Sequence, residues 1–203
     1  MNWLADARES YDTVATSYAT LMRDALADKP FLRAALGLVG PGPVVDVGCG
    51  PGHVAGYVHG RGASVGGLDL SPGMIEEARR RYPTVPFAVA SMTALPLADD
   101  SAAAILAWWT LIHIPDETIP TVLAEFRRVL RPGGTVQIGF HVGDETRLKT
   151  SGYGGHPMRI NVHRRRPEQM AAWLRAAGFR IDATLHMLPD EDPSQAVLFA
   201  GTP

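Results

Sequence analysis

The sequence predicts an α/β fold: a doubly wound sheet of seven strands with a C-terminal antiparallel hairpin and helices on both faces. Three observations predict it. From Val44 onward, short β-branched runs alternate with helical stretches, which implies parallel strands joined by right-handed crossovers. A glycine-rich turn, Gly48-Cys49-Gly50-Pro51-Gly52, separates the first strand from the first helix after it. The last two strand candidates are joined by a short loop with no helix between them, the arrangement of an antiparallel pair.

Each element has its own signal. Tyr11, Val14, Tyr18, Leu21, Met22 and Leu26 recur at helical spacing over residues 6–27. Pro30 ends that stretch, and a second helix is expected from Phe31 to Leu38 before the breaker Gly40-Pro41-Gly42-Pro43. Val44–Val47 is the first strand, followed by a helix from His53 to His59. Ala63–Asp69 is the second strand, and Ser71-Pro72 starts a helix to about Arg81, with Ser as N-cap and Pro in the first turn. Pro86–Ala90, Ala102–Trp108 and Thr135–Phe140 are strands three to five. A helix over Glu117–Leu130 and the turn Arg131-Pro132-Gly133-Gly134 lie between the last two. Residues 141–166 are glycine-rich, lack a strong period and are expected to form an insertion or lid. Pro167–Ala177 is a helix ending at the C′ glycine Gly178. Ile181–Met187 and Ala196–Ala200 are the final pair, joined by the acidic loop Pro189–Pro193.

Length and composition bound the function. A chain of 203 residues, 46% hydrophobic and 20% charged, suits one globular domain that buries a core without staples. The domain expected is 1–203, with N-terminal helices (about 1–40) and the lid (about 141–166) capping an acceptor. The net charge of −2 gives nucleic acid no electrostatic footprint. The single cysteine, Cys49, excludes an internal disulfide and a cysteine-based zinc site. The start, Met1-Asn2-Trp3-Leu4, has no signal-peptide pattern, and no apolar run is long enough for a membrane span. A cytoplasmic monomer or homodimer is expected, with no metal, membrane or nucleic-acid partner.

The glycine loop is the most informative segment. Glycine lets the backbone turn sharply and approach a ligand. Asp69 ends the second strand 19 residues after Gly50, where a carboxylate can accept ribose hydroxyls. Together they favour an adenosine-containing cofactor. The glycines run 48, 50, 52, and His53 stands where a dinucleotide fingerprint has its third small residue, so the loop fits NAD poorly.

Val44–Gly52 resembles motif I of the class I S-adenosylmethionine (SAM)-dependent methyltransferases, which have a Rossmann-like fold. The likeness continues through Leu68–Met74, Leu95-Pro96-Leu97-Ala98-Asp99-Asp100-Ser101, Leu130–Gly134, the N-terminal Tyr11-Asp12-Thr13-Val14-Ala15-x-x-Tyr18 and the helix Met170–Phe179. The order of these pieces matches the small-molecule (type 11/25-like) branch. The resemblance implies roles. Gly48, Cys49, Gly50 and Gly52 let the backbone pass the methionine part of SAM. Asp46 orients its amino group, and Asp69 binds the ribose. Leu70 and Met74 flank the adenine, and Ser91 and Met92 meet its edge, although the family more often has Asp at the position of Ser91. Trp108 lies where the backbone holds the amino group, and Tyr18 closes over the cofactor or packs its helix.

Methyl transfer from a sulfonium needs orientation and a dry pocket, and a base only when the nucleophile must lose a proton. His113, just past strand four, is the leading base candidate, then His141 past strand five; His156 and His163 are further histidines of this region. Trp109, His113, Tyr153, His156 and Arg159 are the acceptor candidates. Of Trp108 and Trp109, one is expected to line the acceptor pocket and the other to enter the core, since adjacent strand residues face opposite ways. Arg164-Arg165-Arg166 reads as a solvated face, or as a grip on an acceptor anion. The expected function is methyl transfer to oxygen or nitrogen of a small molecule. The alternatives are a SAM-binding protein without methyl transfer, an NAD-dependent oxidoreductase, and a nucleic-acid methyltransferase, which typically has Asn or Asp-Pro-Pro-Tyr where this chain has Trp108-Trp109-Thr110-Leu111.

Overall fold

A computed structural model describes residues 2–188 and 190–203. Met1 and Pro189, the first residue of the loop expected over 189–193, lie outside the described residues.

Two helices, α1 (Trp3–Leu21) and α2 (Pro30–Leu36), precede the sheet. The sheet is built from β1 (Val44–Val47), β2 (Val65–Asp69), β3 (Phe87–Val89), β4 (Ala102–Trp108), β5 (Leu130–His141), β8 (Arg180–Met187) and β9 (Gln195–Gly201), in the order β3-β2-β1-β4-β5-β9-β8. The first five strands run parallel, and β9 pairs antiparallel with both β5 and β8. This is the seven-stranded, Rossmann-like sheet with a terminal hairpin that the sequence predicts. Strand order reverses at β1, between β2 and β4, so a crevice opens beyond the carboxyl ends of these strands, where such sheets bind ligands.

Crossover helices α3 (His53–His59), α4 (Pro72–Arg81), α5 (Ile119–Val129) and α6 (Pro167–Ala176) cover the two faces. Helix α5 buries Ile119, Val122, Leu123, Phe126 and Val129, one stripe at spacings of three and four residues. Those side chains join Ile105, Ile138 and Leu198 in one core, while Leu32, Val54, Val58, Ile75 and Leu106 form the core on the other face. Ser71 caps α4 by accepting the Met74 N–H at 3.0 Å, and Gly178 is left-handed (φ 87°) just beyond α6, both as the sequence implies.

Three stretches differ from expectation. Helix α1 stops at Leu21, and residues 22–28 form turns. Leu26 packs against the core around Leu32 there, and Arg33 donates to the Leu26 carbonyl at 3.0 Å. Strand β5 begins at Leu130, before the expected turn at 131–134, which falls inside it as a register shift: Leu130 pairs with Ala102, and pairing resumes at Thr135 opposite Ala104. The region 141–166 is regular, not irregular. It contains an antiparallel hairpin, β6 (Thr146–Gly152) and β7 (His156–His163), turned at Tyr153-Gly154-Gly155, all with positive φ. Met158 and Ile160 of β7 are buried against Ala7 and Val14 of α1. The alternation Met158-Arg159-Ile160-Asn161-Val162 carries that strand signal.

Candidate active site

Beyond the carboxyl ends of β1, β2 and β4 lies a cavity of about 100 Å³, open at its mouth, at the place where such sheets bind ligands. Helix α1 forms one wall through Leu4, Ala7, Tyr11 and Tyr18, spaced three, four and seven residues apart along a single face.

The floor is the glycine loop, and its glycines have different duties. A Cβ on Gly48 (φ 71°) would stand 1.9 Å from Thr110 Oγ1, so this glycine lets the loop after β4 approach β1. A Cβ on Gly52 would meet Phe87 at 2.8 Å and Ala78 at 3.1 Å, which makes Gly52 a helix-packing position, and it does not line the cavity. Gly50 (φ 53°) faces the cavity, with only Tyr18 near its added Cβ. Cys49 lines the cavity but is buried, and burial pushes its thiol well above the usual range.

Asp69 ends β2 beside this loop. Its Oδ2 accepts the Gly50 N–H at 2.7 Å and its Oδ1 accepts the Ser71 N–H at 2.9 Å. A carboxylate has about four acceptor sites, so each oxygen keeps one for a ligand. Burial raises its pKa, against the Ser71, Gly50 and Leu70 amides that lower it. Asp46 sits differently: it is buried beneath the loop, accepts the Ala55 N–H of α3 at 3.1 Å and does not line the cavity. Burial pushes its pKa up to about 7.

Leu70, Met74, Ser91 and Met92 line the side of the cavity above β2 and β3. The Ser91 hydroxyl is engaged with that of Thr93 at 2.7 Å. Trp108 and Trp109 both line the cavity, against the expected alternation. The reason is local: β4 ends at Trp108, and Trp109 takes a left-handed conformation (φ 52°) while donating its N–H to the Gly139 carbonyl at 2.8 Å. The two rings meet edge to face at 5.7 Å, and neither indole N–H has a partner among the described residues. Buried donors of this kind are normally satisfied, so a ligand or water is their natural counterpart.

Past β4, His113 donates from Nδ1 to the Asn161 carbonyl of β7 at 2.9 Å, and Nε2 accepts from the Tyr11 hydroxyl at 2.7 Å. The carbonyl can only accept, so it fixes the ring tautomer. Burial pushes the His113 pKa down to about 4 and holds the ring neutral, while burial, with Tyr153 and Tyr18 nearby, raises Tyr11. Tyr18 stacks edge to face on Tyr153 at 4.6 Å and is likewise raised by burial.

The remaining candidates lie apart. His141 does not line this cavity; its Nδ1 is buried without a partner among the described residues. His156 is exposed, and Arg159 is exposed beside a neighbouring cleft shared with His113 and His163. Tyr153 reaches the site only through its contacts with Tyr11 and Tyr18. The arginine run is not a uniform solvated face. Arg165 is buried, donates to the carbonyls of Leu111 (2.8 Å) and Ile114, and pairs with Asp116 at 2.8 Å. It clamps the loop that carries His113. Arg164 and Arg166 pair with acidic neighbours.

Sequence reasoning missed His53, Thr110, Trp3 and Tyr11 as lining residues. His53 directly follows the glycine loop; its Nδ1 is buried without a partner among the described residues, and burial lowers its pKa to about 4. Tyr11 lies two helical turns before Tyr18, a spacing that was itself the available signal. Among the described residues, no group of three or more His, Cys, Asp or Glu side chains could hold a metal.

Residues 44–134 match the family model described as a methyltransferase domain. The chain is 40% identical over 130 residues to malonyl-[acyl-carrier protein] O-methyltransferase of Pseudescherichia vulneris, covering 64% of this chain and 48% of that protein. It is 34% identical over 170 residues to trans-aconitate 2-methyltransferase of Methylobacterium nodulans, covering 74% and 62%. The chain thus spans about half to three fifths of the length of these relatives. The crystal structure of Burkholderia thailandensis 1,6-didemethyltoxoflavin-N1-methyltransferase with bound 1,6-didemethyltoxoflavin and S-adenosylhomocysteine shares the fold, with a TM-score of 0.75 at 23% identity over 98% of this chain and 88% of that one. The sheet order, the glycine loop with its partner Asp69, and these likenesses make the chain similar to the class I SAM-dependent methyltransferases.

Proposed function

We propose that this chain transfers a methyl group from SAM to an oxygen or nitrogen of a small molecule. One observation carries the reading. Asp69 is held between the Gly50 and Ser71 amides in an aromatic-walled cavity that, among the described residues, contains no lysine or arginine. That lining suits a ribose and a sulfonium cation. It offers no cationic side chain to a dinucleotide's pyrophosphate, which such groups commonly recruit.

The residues fit the cofactor part by part. The free acceptor sites of Asp69 would take the ribose hydroxyls. Leu70, Met74 and Met92 give the adenine an apolar slot. The open backbone at Gly50 admits the methionine portion, and Trp108 and Trp109, which also line the cavity, carry indole N–H groups without a partner among the described residues. When bound, SAM supplies an activated methyl group and a neutral thioether leaving group. The protein's part is to orient the acceptor in line and to exclude water. We read the chain as one domain in which α1 and the β6–β7 hairpin cap the acceptor. The buried contact of Met158 and Ile160 with α1 supports that cap. The single, buried cysteine and the net charge of −2 are in keeping with a reducing, cytoplasmic setting and a monomer or homodimer that does not bind nucleic acid.

The test is calorimetric titration with SAM, and separately with NADH, on the wild type and Asp69→Ala. Micromolar SAM binding that the variant loses, followed by S-adenosylhomocysteine release in an acceptor screen, is the expected result. NADH binding, or no SAM binding, overturns the reading.

A further inference from the structure

We propose that Tyr11 and His113 form a proton relay whose geometry selects an acceptor bearing a hydroxyl or a ring N–H over one bearing a carboxylate. The inference rests on the methyltransferase reading and names the acceptor class of the same site.

Three separate elements build the relay. Tyr11 comes from α1, His113 from the loop after β4, and the Asn161 carbonyl from β7. The links are 2.7 Å from the Tyr11 hydroxyl to Nε2 and 2.9 Å from Nδ1 to the carbonyl. Each element is held independently. The Ser10 hydroxyl accepts the Arg159 N–H at 2.9 Å and so fastens α1 to β7. Asp12 fastens α1 to α4 by accepting from the Ser71 hydroxyl at 2.5 Å and the Gly73 N–H at 2.9 Å. Arg165 clamps the His113 loop from behind.

The proton positions follow by elimination. The Asn161 carbonyl accepts only, so Nδ1 carries the ring proton. Nε2 is then a bare acceptor, and the one proton of the Tyr11 hydroxyl is committed to it. Tyr11 and His113 both line the cavity, the Tyr153 hydroxyl lies beside that of Tyr11, and the Tyr11 oxygen has only lone pairs to offer a ligand there. An acceptor group with an O–H or N–H satisfies that oxygen. A carboxylate brings only acceptors and leaves both unsatisfied, which is costly in a buried site.

The reaction step balances. The acceptor's O–H or N–H bond breaks as its bond to the methyl carbon forms and the donor's S–CH₃ bond breaks. The released proton passes to the Tyr11 oxygen while Tyr11's own proton passes to Nε2. The positive charge that began on a sulfonium ends on the imidazolium of His113, whose Nδ1–H keeps its carbonyl partner. Because the two transfers are linked, the Tyr11 oxygen need not hold a full charge.

The experiment is nitrogen NMR on the full chain with ¹⁵N-labelled histidine. Phenol and benzoate, matched in shape, are then titrated onto the S-adenosylhomocysteine complex of the wild type, Tyr11→Phe and His113→Gln. The wild type should show Nδ1 protonated and Nε2 bare, with the Nε2 resonance displaced in Tyr11→Phe. Phenol should bind at least fivefold more tightly than benzoate, and both variants should abolish that preference. A proton on Nε2, an Nε2 resonance that Tyr11→Phe leaves in place, or a phenol preference that survives the substitution overturns the relay. Failure of the wild type to bind SAM overturns the methyltransferase reading instead, and the histidine resonances still decide the geometry.

Discussion

The Asp69 carboxylate holds the Gly50 amide at 2.7 Å, so the residue that ends β2 also sets the shape of the loop that ends β1. Its second oxygen holds Ser71 at the start of α4. Asparagine has nearly the same shape but only one acceptor oxygen. In Asp69→Asn the amide NH₂ must face one of the two backbone N–H groups, and the charge that would meet the ribose is gone. Charge-assisted hydrogen bonds are worth about 1.5–3 kcal/mol, so SAM affinity should fall on the order of 10- to 150-fold by calorimetry. A loss under threefold would show that Asp69 holds the loop but not the ligand.

Gly48 makes a sharper prediction, because its clash has a single author in Thr110. An alanine there meets Thr110 Oγ1 at 1.9 Å and Thr110 Cβ at 2.5 Å, and its φ of 71° is unfavourable for any side chain. The left-handed backbone alone costs about 1–2 kcal/mol. Gly48→Ala should therefore lower stability by more than that strain and shift the loop after β4. Adding Thr110→Gly should recover the clash but not the strain. Urea unfolding of the single and double variants measures both parts. Equal stability of the two would sink the assignment of Gly48 to close approach.

Arg165 is a positioning residue for the His113 loop. It is 1% exposed, and it satisfies the Leu111 and Ile114 carbonyls on either side of His113. Arg165→Met keeps much of the volume and removes every donor. Each abandoned buried carbonyl costs about 1–3 kcal/mol. With about 2–4 °C per kcal/mol for a chain of this size, the two carbonyls together should lower Tm on the order of 4–24 °C. A fall below about 2 °C in scanning calorimetry would mean that the loop holds itself.

This arginine marks the limit of what the sequence discloses. The strands, the glycine loop, Asp69 and the caps were legible because each depends on local chemistry: β-branched runs, a backbone that must turn, a serine before a proline. Arg165 was not, because a triplet of arginines gives no local hint of which one turns inward, and its partners lie 49 to 54 residues away. Tyr11 was visible only as part of a helical stripe that reads as core. The stripe faces a cavity because β7 and the loop after β4 hold α1 off the sheet edge. The β6–β7 hairpin was half legible: β7 alternates, whereas β6, Thr146-Arg147-Leu148-Lys149-Thr150-Ser151-Gly152, has no apolar face to betray it. Trp109 defeated the alternation rule through one left-handed residue that no pattern announces.

Asp46 supplies a prediction in pH. Burial raises its pKa from an ordinary 3.8 to about 7. Between those values the folded chain holds a proton that the unfolded chain has released, so stability falls as pH rises across the interval and levels off above it. At about 1.4 kcal/mol per unit, the interval from pH 5 to pH 7 carries on the order of 2–3 kcal/mol as an upper bound. Asparagine at this position can still accept the Ala55 N–H and has no proton to lose. Relative to the wild type, Asp46→Asn should therefore gain stability between pH 5 and pH 7.5, whatever constant offset the substitution introduces. The wild-type minus variant difference matters because it cancels the exposed carboxylates common to both chains. Urea midpoints at the two pH values give that difference directly. A gap that does not change with pH would mean that Asp46 is ionised in the folded protein, with its charge met by the backbone of α3.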